Sequence, residues 1–198
     1  MASSQPQPAK PVFPMNPQTD SPRPLEPISG RAIATALGPR PIAIVGTSHN
    51  GRANFTPAAF CTPLSYHPPL IALGLKPTSF GYETLTASGR CTIATVGAEE
   101  ASRVLWCGSH SGRDTDKSKG FHAHWTAGEA PLPYPESALT VLEARVTSIT
   151  EAGDHQLIIL EIKSAQARPS KTGSSCLSAE GTLLCLEHGV FAVVNQLA

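Results

Sequence analysis

The pattern of apolar and polar positions along the chain predicts a domain built mainly from short β-strands. Apolar or alternating runs predict strands over Pro41–Thr47, Ala53–Phe60, Leu70–Leu75, Cys91–Val96, Thr140–Thr150, Gln156–Ala165, Leu183–Leu186 and Val190–Val194. Gly-containing turns separate several of these runs, at His49-Asn50-Gly51, Ala152-Gly153-Asp154 and His188-Gly189. Strands that follow one another through short turns pair antiparallel. The expected fold is therefore mainly β, a closed antiparallel β-barrel with short peripheral helices.

Three short helices are expected around this barrel. The first covers Ile28–Leu37 with Ser29 as its N-cap, and the second covers Ser79–Ser88 with Gly89 just past its end. The third covers Glu99–Cys107. No G-x-G-x-x-G sequence follows the first strand, so a doubly wound α/β sheet is not predicted.

The chain divides into a tail and one folded domain. Residues 1–27 are rich in proline, and we expect a largely disordered arm followed by a domain over 28–198. Residues 108–136 are polar and irregular, which is typical of a functional or mobile loop.

Charge and hydropathy exclude several classes of function. Lys and Arg together number 15, as do Asp and Glu, so no basic field attracts nucleic acid. No apolar run approaches the roughly 20 residues that span a bilayer, and the first residues lack the apolar segment of a secretory signal. We therefore expect a cytoplasmic protein without a membrane partner.

The cysteines predict neither disulfides nor a metal site. They are odd in number and lack C-x-x-C spacing, which is typical of reduced thiols: Cys61, Cys91, Cys107, Cys176 and Cys185. Cys107 and His110 lie three residues apart, and His122 and His124 form an H-x-H pair, but no second cluster completes a zinc site.

The segment from Asn54 to Thr62 has the composition of a strand that faces a flat ligand. Its small and hydroxyl-bearing residues leave backbone N–H and C=O groups accessible to an aromatic ring. A regular strand places one set of side chains on one face: Asn54, Thr56, Ala58, Phe60 and Thr62. A bulge at Pro57 would shift that register. The alternative interpretation is an ordinary sheet edge followed by a capped helix.

Three further motifs carry charge or histidine. Lys76 precedes Thr78 and Ser79 at a predicted helix start, which offers a positive charge, hydroxyls and N–H groups. Residues 112–117 read GRDTDK and residues 153–155 read GDH. Taken alone, these two motifs also fit a solvated loop and a turn histidine paired with Asp154.

Four features, taken in order, resemble the FMN-binding split-barrel family of flavin reductases and flavoredoxins. They are the segment 39–69, the GRDTDK motif, the GDH motif and, more weakly, His188 in the C-terminal run His188-Gly189-Val190-Phe191. The resemblance implies a homodimer with FMN held in clefts between the subunits. It implies cofactor contacts from Asn54, Thr56, Pro57, Ala58, Ala59, Phe60, Cys61, Thr62, Ser65, Lys76, Thr78, Ser79, Arg113, Lys117 and His188. It further implies that His155 contacts the flavin or the nicotinamide at the reacting centre.

The function that this resemblance implies is an NAD(P)H:flavin reductase. Hydride would pass from NADH or NADPH to N5 of FMN, with FAD as the alternative flavin, and reduced flavin would supply a monooxygenase. Other interpretations stay open. One is a flavin enzyme that acts on a specific organic substrate in a biosynthetic pathway, and another is a non-catalytic FMN-binding electron carrier. A remoter one is a heme-binding split barrel with His110, His122 or His124 as ligand.

Overall fold

A computed structural model describes residues 24–169, 181–187 and 189–193. Its strands are β1 Arg40–Pro41, β2 Ala43–His49, β3 Arg52–Ala58, β4 Cys61–Tyr66, β5 Pro69–Leu75, β6 Arg90–Thr95, β7 Ala123–Trp125, β8 Pro133–Pro135, β9 Thr140–Ala152, β10 His155–Ala167, β11 Leu183–Glu187 and β12 Val190–Val193. Its α-helices are α1 Arg31–Ala36, α2 Phe80–Ser88, α3 Ala101–Ser109 and α4 Ser118–Phe121, and one 3₁₀ turn covers Ala98–Glu100. The predicted mainly β fold is confirmed. Most of the expected tail, residues 1–23, lies outside the described residues.

The two edge strands of the main sheet are consecutive in the chain, which brings the two ends of the sheet close together. Seven antiparallel strands follow the order β3-β2-β6-β9-β10-β5-β4. Only Ala59 and Phe60 connect β3 at one edge with β4 at the other. The N–H of Gly74 on β5 donates to the carbonyl of Phe60 at 2.7 Å. This connection curls the sheet into a barrel and brings the end of β3 against β5.

Two apolar clusters stabilise the barrel. One cluster contains Val45, Leu73 and Ile158, and α2 adds Leu85. The other covers the opposite face of β2 and β3 and includes Phe55. Successive residues of a strand face opposite sides, so β2 and β3 contribute to both clusters.

The hairpin and cap signals are confirmed where they are local. Asn50 and Gly51 have φ angles of 50° and 74° and form the two-residue turn between β2 and β3. Ser79 caps α2, and Gly89 ends it with φ of 65°. The predicted cap at Ser29 is wrong, because α1 begins at Arg31 after Gly30 and has no side-chain cap.

Two other expectations need correction. The segment 108–136 is not irregular throughout, because it contains α4, β7 and β8. Pairing of β2 with β3 is continuous through Pro57, so no bulge occurs there. Asn54, Thr56 and Ala58 therefore share one face of β3, but this strand ends at Ala58 and the shared face does not continue to Phe60 and Thr62.

No helix in the described part of the chain is long and apolar enough to cross a bilayer.

Candidate active site

A cleft of about 550 Å³ opens where the turn between β3 and β4, the end of β5, the start of α2 and the segment after α3 meet. It brings together eleven of the residues singled out from the sequence: Thr56, Pro57, Ala58, Ala59, Phe60, Lys76, Thr78, Ser79, Arg113, Lys117 and His155. Segments that lie far apart in the chain thus meet at one place.

Four of the other predicted residues lie outside the lining of this cleft. Asn54 is buried beneath it, while Cys61, Thr62 and Ser65 lie on β4. His188 lies outside the described residues.

Asn54 orients a cleft hydroxyl from below. Its side-chain Nδ2 donates to Oγ1 of Thr47 at 3.2 Å and to Oγ1 of Thr56 at 3.4 Å. The Thr47 hydroxyl in turn lies 2.7 Å from the hydroxyl of Thr84 on α2. Because the Thr56 oxygen accepts from Asn54, its O–H is free to donate into the cleft.

The start of α2 forms an anion-binding end of the cleft. Ser79 Oγ accepts from the N–H of Tyr82 at 3.1 Å and donates to the carbonyl of Lys76 at 2.8 Å. The N–H groups of Phe80 and Gly81 have no acceptor among the described residues. Unpaired N–H groups at a helix start attract anions, and the exposed Lys76 adds a positive charge at this end.

Arg113 anchors the GRDTDK loop to α2. Its guanidinium contacts Oε2 of Glu83 at 2.5 Å, donates to the carbonyl of Thr78 at 3.3 Å, and lies 5.4 Å from the ring centre of Phe80. Glu83 lies in the first turn of α2 and would repel an anion there, so Arg113 offsets its charge.

Lys117 is buried in the wall of the cleft, with only 5% of its surface exposed. Its ammonium donates to the carbonyl of Phe55 at 3.0 Å and to the carbonyl of Cys107 at 2.7 Å. Burial lowers the pKa of Lys117, and the nearby Cys107 opposes that shift. Lys117 therefore ties the end of α3 to β3, while its third N–H remains for a ligand.

His155 borders the cleft from the turn between β9 and β10. Its Nδ1 lies 2.7 Å from Oδ1 of Asp154, and its ring packs against Phe60 at 5.2 Å between centres. This hydrogen bond, reinforced by the charge of His155, lowers the pKa of Asp154. The imidazole thus has a fixed orientation, with Nε2 as its remaining polar atom.

Sequence reasoning missed the glycines that shape the cleft. A Cβ on Gly81 would overlap the side chain of Thr56, and one on Gly112 would overlap Asn54 and Phe80. These contacts join different elements, and the only sign of them in the sequence was the position of Gly112 within GRDTDK.

His110, considered above as a metal or heme ligand, also borders the cleft. Within the described ranges, no group of three or more His, Cys, Asp or Glu side chains is arranged to hold a metal ion.

Cys107 borders the cleft as a protonated thiol. Burial raises its pKa from 9.0 to about 11, although Lys117 partly offsets this. Two pKa units lower the thiolate fraction at pH 8 roughly 100-fold, and alkylation requires the thiolate. We expect iodoacetamide to modify Cys107 in the folded protein about 100-fold more slowly than in the denatured protein, as measured by mass spectrometry of its peptide. Equal rates would show that the thiol is not suppressed.

Comparison with known proteins identifies the family. The family model described as "Flavin reductase like domain" matches residues 36–190. The chain belongs to this flavin reductase-like family. The matched range contains every cleft residue described above, so the cleft lies within the domain that defines the family.

Two curated relatives and one solved structure show which proteins this flavin reductase-like chain is similar to. An NADH:riboflavin 5'-phosphate oxidoreductase of Streptomyces pristinaespiralis is 29% identical over 65% of this chain and 70% of its own length. The reductase component of a 4-hydroxyphenylacetate 3-monooxygenase of Pseudomonas aeruginosa is 28% identical over 59% and 67%, respectively. The crystal structure of an FMN-binding protein from Thermus thermophilus with bound p-hydroxybenzaldehyde superimposes with a TM-score of 0.73 at 27% identity, covering 91% of this chain and 99% of that one.

The cleft of this flavin reductase-like domain fits FMN. Its volume lies in the roughly 300–1,000 Å³ range of small-molecule sites. The small side chains of Ala58 and Ala59 leave room along one wall for a flat ring. The donors at the start of α2, together with Lys76, match a phosphate of about −1.5 to −2 charge.

Proposed function

We propose that this protein is an NADH-dependent flavin reductase that binds FMN in the cleft between β3, β5, α2 and α3. One observation carries the proposal: a wall of small residues for a ring and a helix start with unpaired N–H groups for a phosphate lie in the same cleft. The name of the Streptomyces relative supports NADH and FMN as the two reactants.

The residues of the cleft divide the binding of FMN among themselves. Ser79, Lys76 and the N–H groups that begin α2 hold the phosphate. The segment Thr56–Phe60 faces the ring, and the Thr56 hydroxyl donates to its polar edge. Arg113 and Lys117 hold the surrounding loop and the end of α3 in place.

The protein contributes alignment rather than a nucleophile or a general acid. When bound, FMN supplies the site that accepts a hydride from NADH. His155, held by Asp154 and Phe60, borders the same cleft in which the two rings would bind. Its fixed imidazole restricts how the nicotinamide approaches, and close alignment of two reactants accounts for much of the rate of such a transfer.

The proposal includes a homodimer formed through β4. This strand is an edge of the main sheet and exposes apolar side chains, with Leu64 53% and Tyr66 89% exposed, next to Phe60 at 43%. Exposed apolar surface on an edge strand favours pairing with another chain. In such a dimer Cys61, Thr62 and Ser65 would lie at the interface, next to the partner's cleft.

Light scattering of the protein as it elutes from a size-exclusion column tests the dimer. We expect the full chain to have a mass twice the 20.8 kDa of one copy. Leu64→Asp should shift it towards the monomer, because a charge would be buried at the interface. As a control, Leu105→Asp places the same charge at another exposed leucine, 43% exposed on α3, and should leave the dimer intact. A monomeric wild-type protein would refute the dimer.

We further propose that the reduced flavin serves a separate monooxygenase. The Pseudomonas relative is named as the reductase component of such a system. Steady-state NADH oxidation tests the reductase itself: turnover should rise with added free FMN and be faster with NADH than with NADPH. Absence of turnover with either nucleotide would contradict the function.

A second candidate is a flavin enzyme acting on an organic carbonyl compound. The Thermus thermophilus FMN-binding protein, whose structure contains p-hydroxybenzaldehyde, favours it. This candidate predicts tightly bound FMN and negligible turnover of free FMN, with NADH oxidation that depends on an added aromatic aldehyde.

A further inference from the structure

The end of α3 borders the cleft but has no part in the proposed binding of FMN. Five consecutive residues of this segment contribute to the lining: Cys107, Gly108, Ser109, His110 and Ser111. The neighbouring residues of this segment have small side chains, and that of Cys107 is a protonated thiol. His110 adds an ionisable ring to them. Its surroundings fix both its orientation and its tautomer.

The Trp106 backbone and ring hold His110 in place. Nδ1 of His110 lies 2.8 Å from the carbonyl of Trp106, and a carbonyl only accepts, so Nδ1 carries the proton. The two rings stack at 4.9 Å between centres with 28° between their planes. In the neutral imidazole Nε2 is then a hydrogen-bond acceptor, and it has no partner among the described residues.

We propose that His110 is a substrate-binding residue that accepts a hydrogen bond from the carboxamide NH₂ of the nicotinamide. This inference rests on the proposed reductase function and names the group that recognises its second reactant. An acceptor needs a donor, and the carboxamide is the donor on the ring that delivers the hydride. The flavin is assigned to the other residues of the cleft, along Thr56–Phe60 and the start of α2.

The competing interpretation is that His110 only caps α3. Trp106 lies in the last turn of this helix, where unpaired carbonyls accept from nearby donors. Capping alone predicts a change in stability and no change in how nicotinamides are distinguished.

A substrate analogue separates these interpretations. Reduced 3-acetylpyridine adenine dinucleotide has a methyl group in place of the amide NH₂ and still delivers a hydride. His110→Phe keeps an aromatic ring to stack on Trp106 and removes the acceptor, whereas His110→Gln keeps an acceptor. His124→Phe is the matched control, because His124 is 54% exposed on β7, pairs with Glu136 and lies outside the cleft lining.

For the wild-type protein we expect KM to be about 3–10-fold higher for the analogue than for NADH. This is the change that the loss of one hydrogen bond usually causes. In His110→Phe the KM for NADH should rise by the same factor and the ratio of the two KM values should fall to about one. His110→Gln should recover part of the ratio. The dissociation constant of FMN, measured by flavin fluorescence, should stay within about twofold in every variant.

The proposal is overturned if His110→Phe keeps the wild-type ratio, or if its main effect is weaker FMN binding. A lower melting temperature with an unchanged ratio would support capping instead. A wild-type protein that does not oxidise NADH would refute the proposed function as well. An active wild-type protein whose ratio does not respond to His110 would refute this inference alone.

Discussion

Replacing Gly81 with alanine should destabilise the fold and weaken FMN binding together. The new Cβ would overlap the Thr56 hydroxyl and lie 2.8 Å from its Cβ, a contact that side-chain rotation cannot relieve. Overpacking of this kind costs about 1–3 kcal/mol. Because relief requires α2 to move away from β3, the helix start that binds the phosphate moves too. We expect the FMN dissociation constant to rise about tenfold, or ~1.4 kcal/mol.

Gly108→Ala is the matched control for this substitution. Gly108 also lies in a nine-residue helix and borders the same cleft, but a Cβ there meets no atom within 4 Å. Alanine is favoured over glycine within helices by up to about 1 kcal/mol, so the free energy of unfolding should stay constant or rise. Urea denaturation of both variants measures the difference. Equal stabilities would mean that α2 does not pack against Thr56 as described.

Lys76→Ala should weaken binding of FMN about 10-fold and leave binding of riboflavin unchanged. Lys76 is exposed at the start of α2, and only FMN carries the phosphate that its charge attracts. A hydrogen bond between charged groups contributes about 1.5–3 kcal/mol, and solvent exposure places this one at the lower limit. Fluorescence titration with both flavins gives the two dissociation constants.

Lys119→Ala controls for the loss of overall charge, since Lys119 is exposed on α4 and outside the cleft lining. It should affect neither flavin. Equal losses for FMN and riboflavin in Lys76→Ala would reject Lys76 as a phosphate contact.

The elements that the sequence predicted well are those set by local chemistry. Asn50-Gly51 determines its own turn, and Ser79 with Gly89 determines the two ends of α2. Strand β4 was missed because Pro63 and the hydroxyls around it obscure the apolar pattern. Its pairing with β5 is a local hairpin in which Tyr66 lies opposite Pro69.

The candidate site was predicted in its residues more than in its geometry. Eleven predicted residues line the cleft, yet the alternating charges of GRDTDK gave no sign that Lys117 is buried while Arg113 stays exposed. That difference depends on the carbonyls of Phe55 and Cys107, which the fold brings together. The overlap between Gly81 and Thr56 likewise exists only after α2 packs on β3.

Anaerobic titration with NADH tests the central claim most directly. The purified protein is reconstituted with one equivalent of FMN, and its visible spectrum is recorded as NADH is added without oxygen. We predict a flavin spectrum at stoichiometric occupancy that bleaches completely with one equivalent of NADH. A colourless protein that takes up no FMN at micromolar concentration, or a bound flavin that NADH does not bleach, would contradict this account.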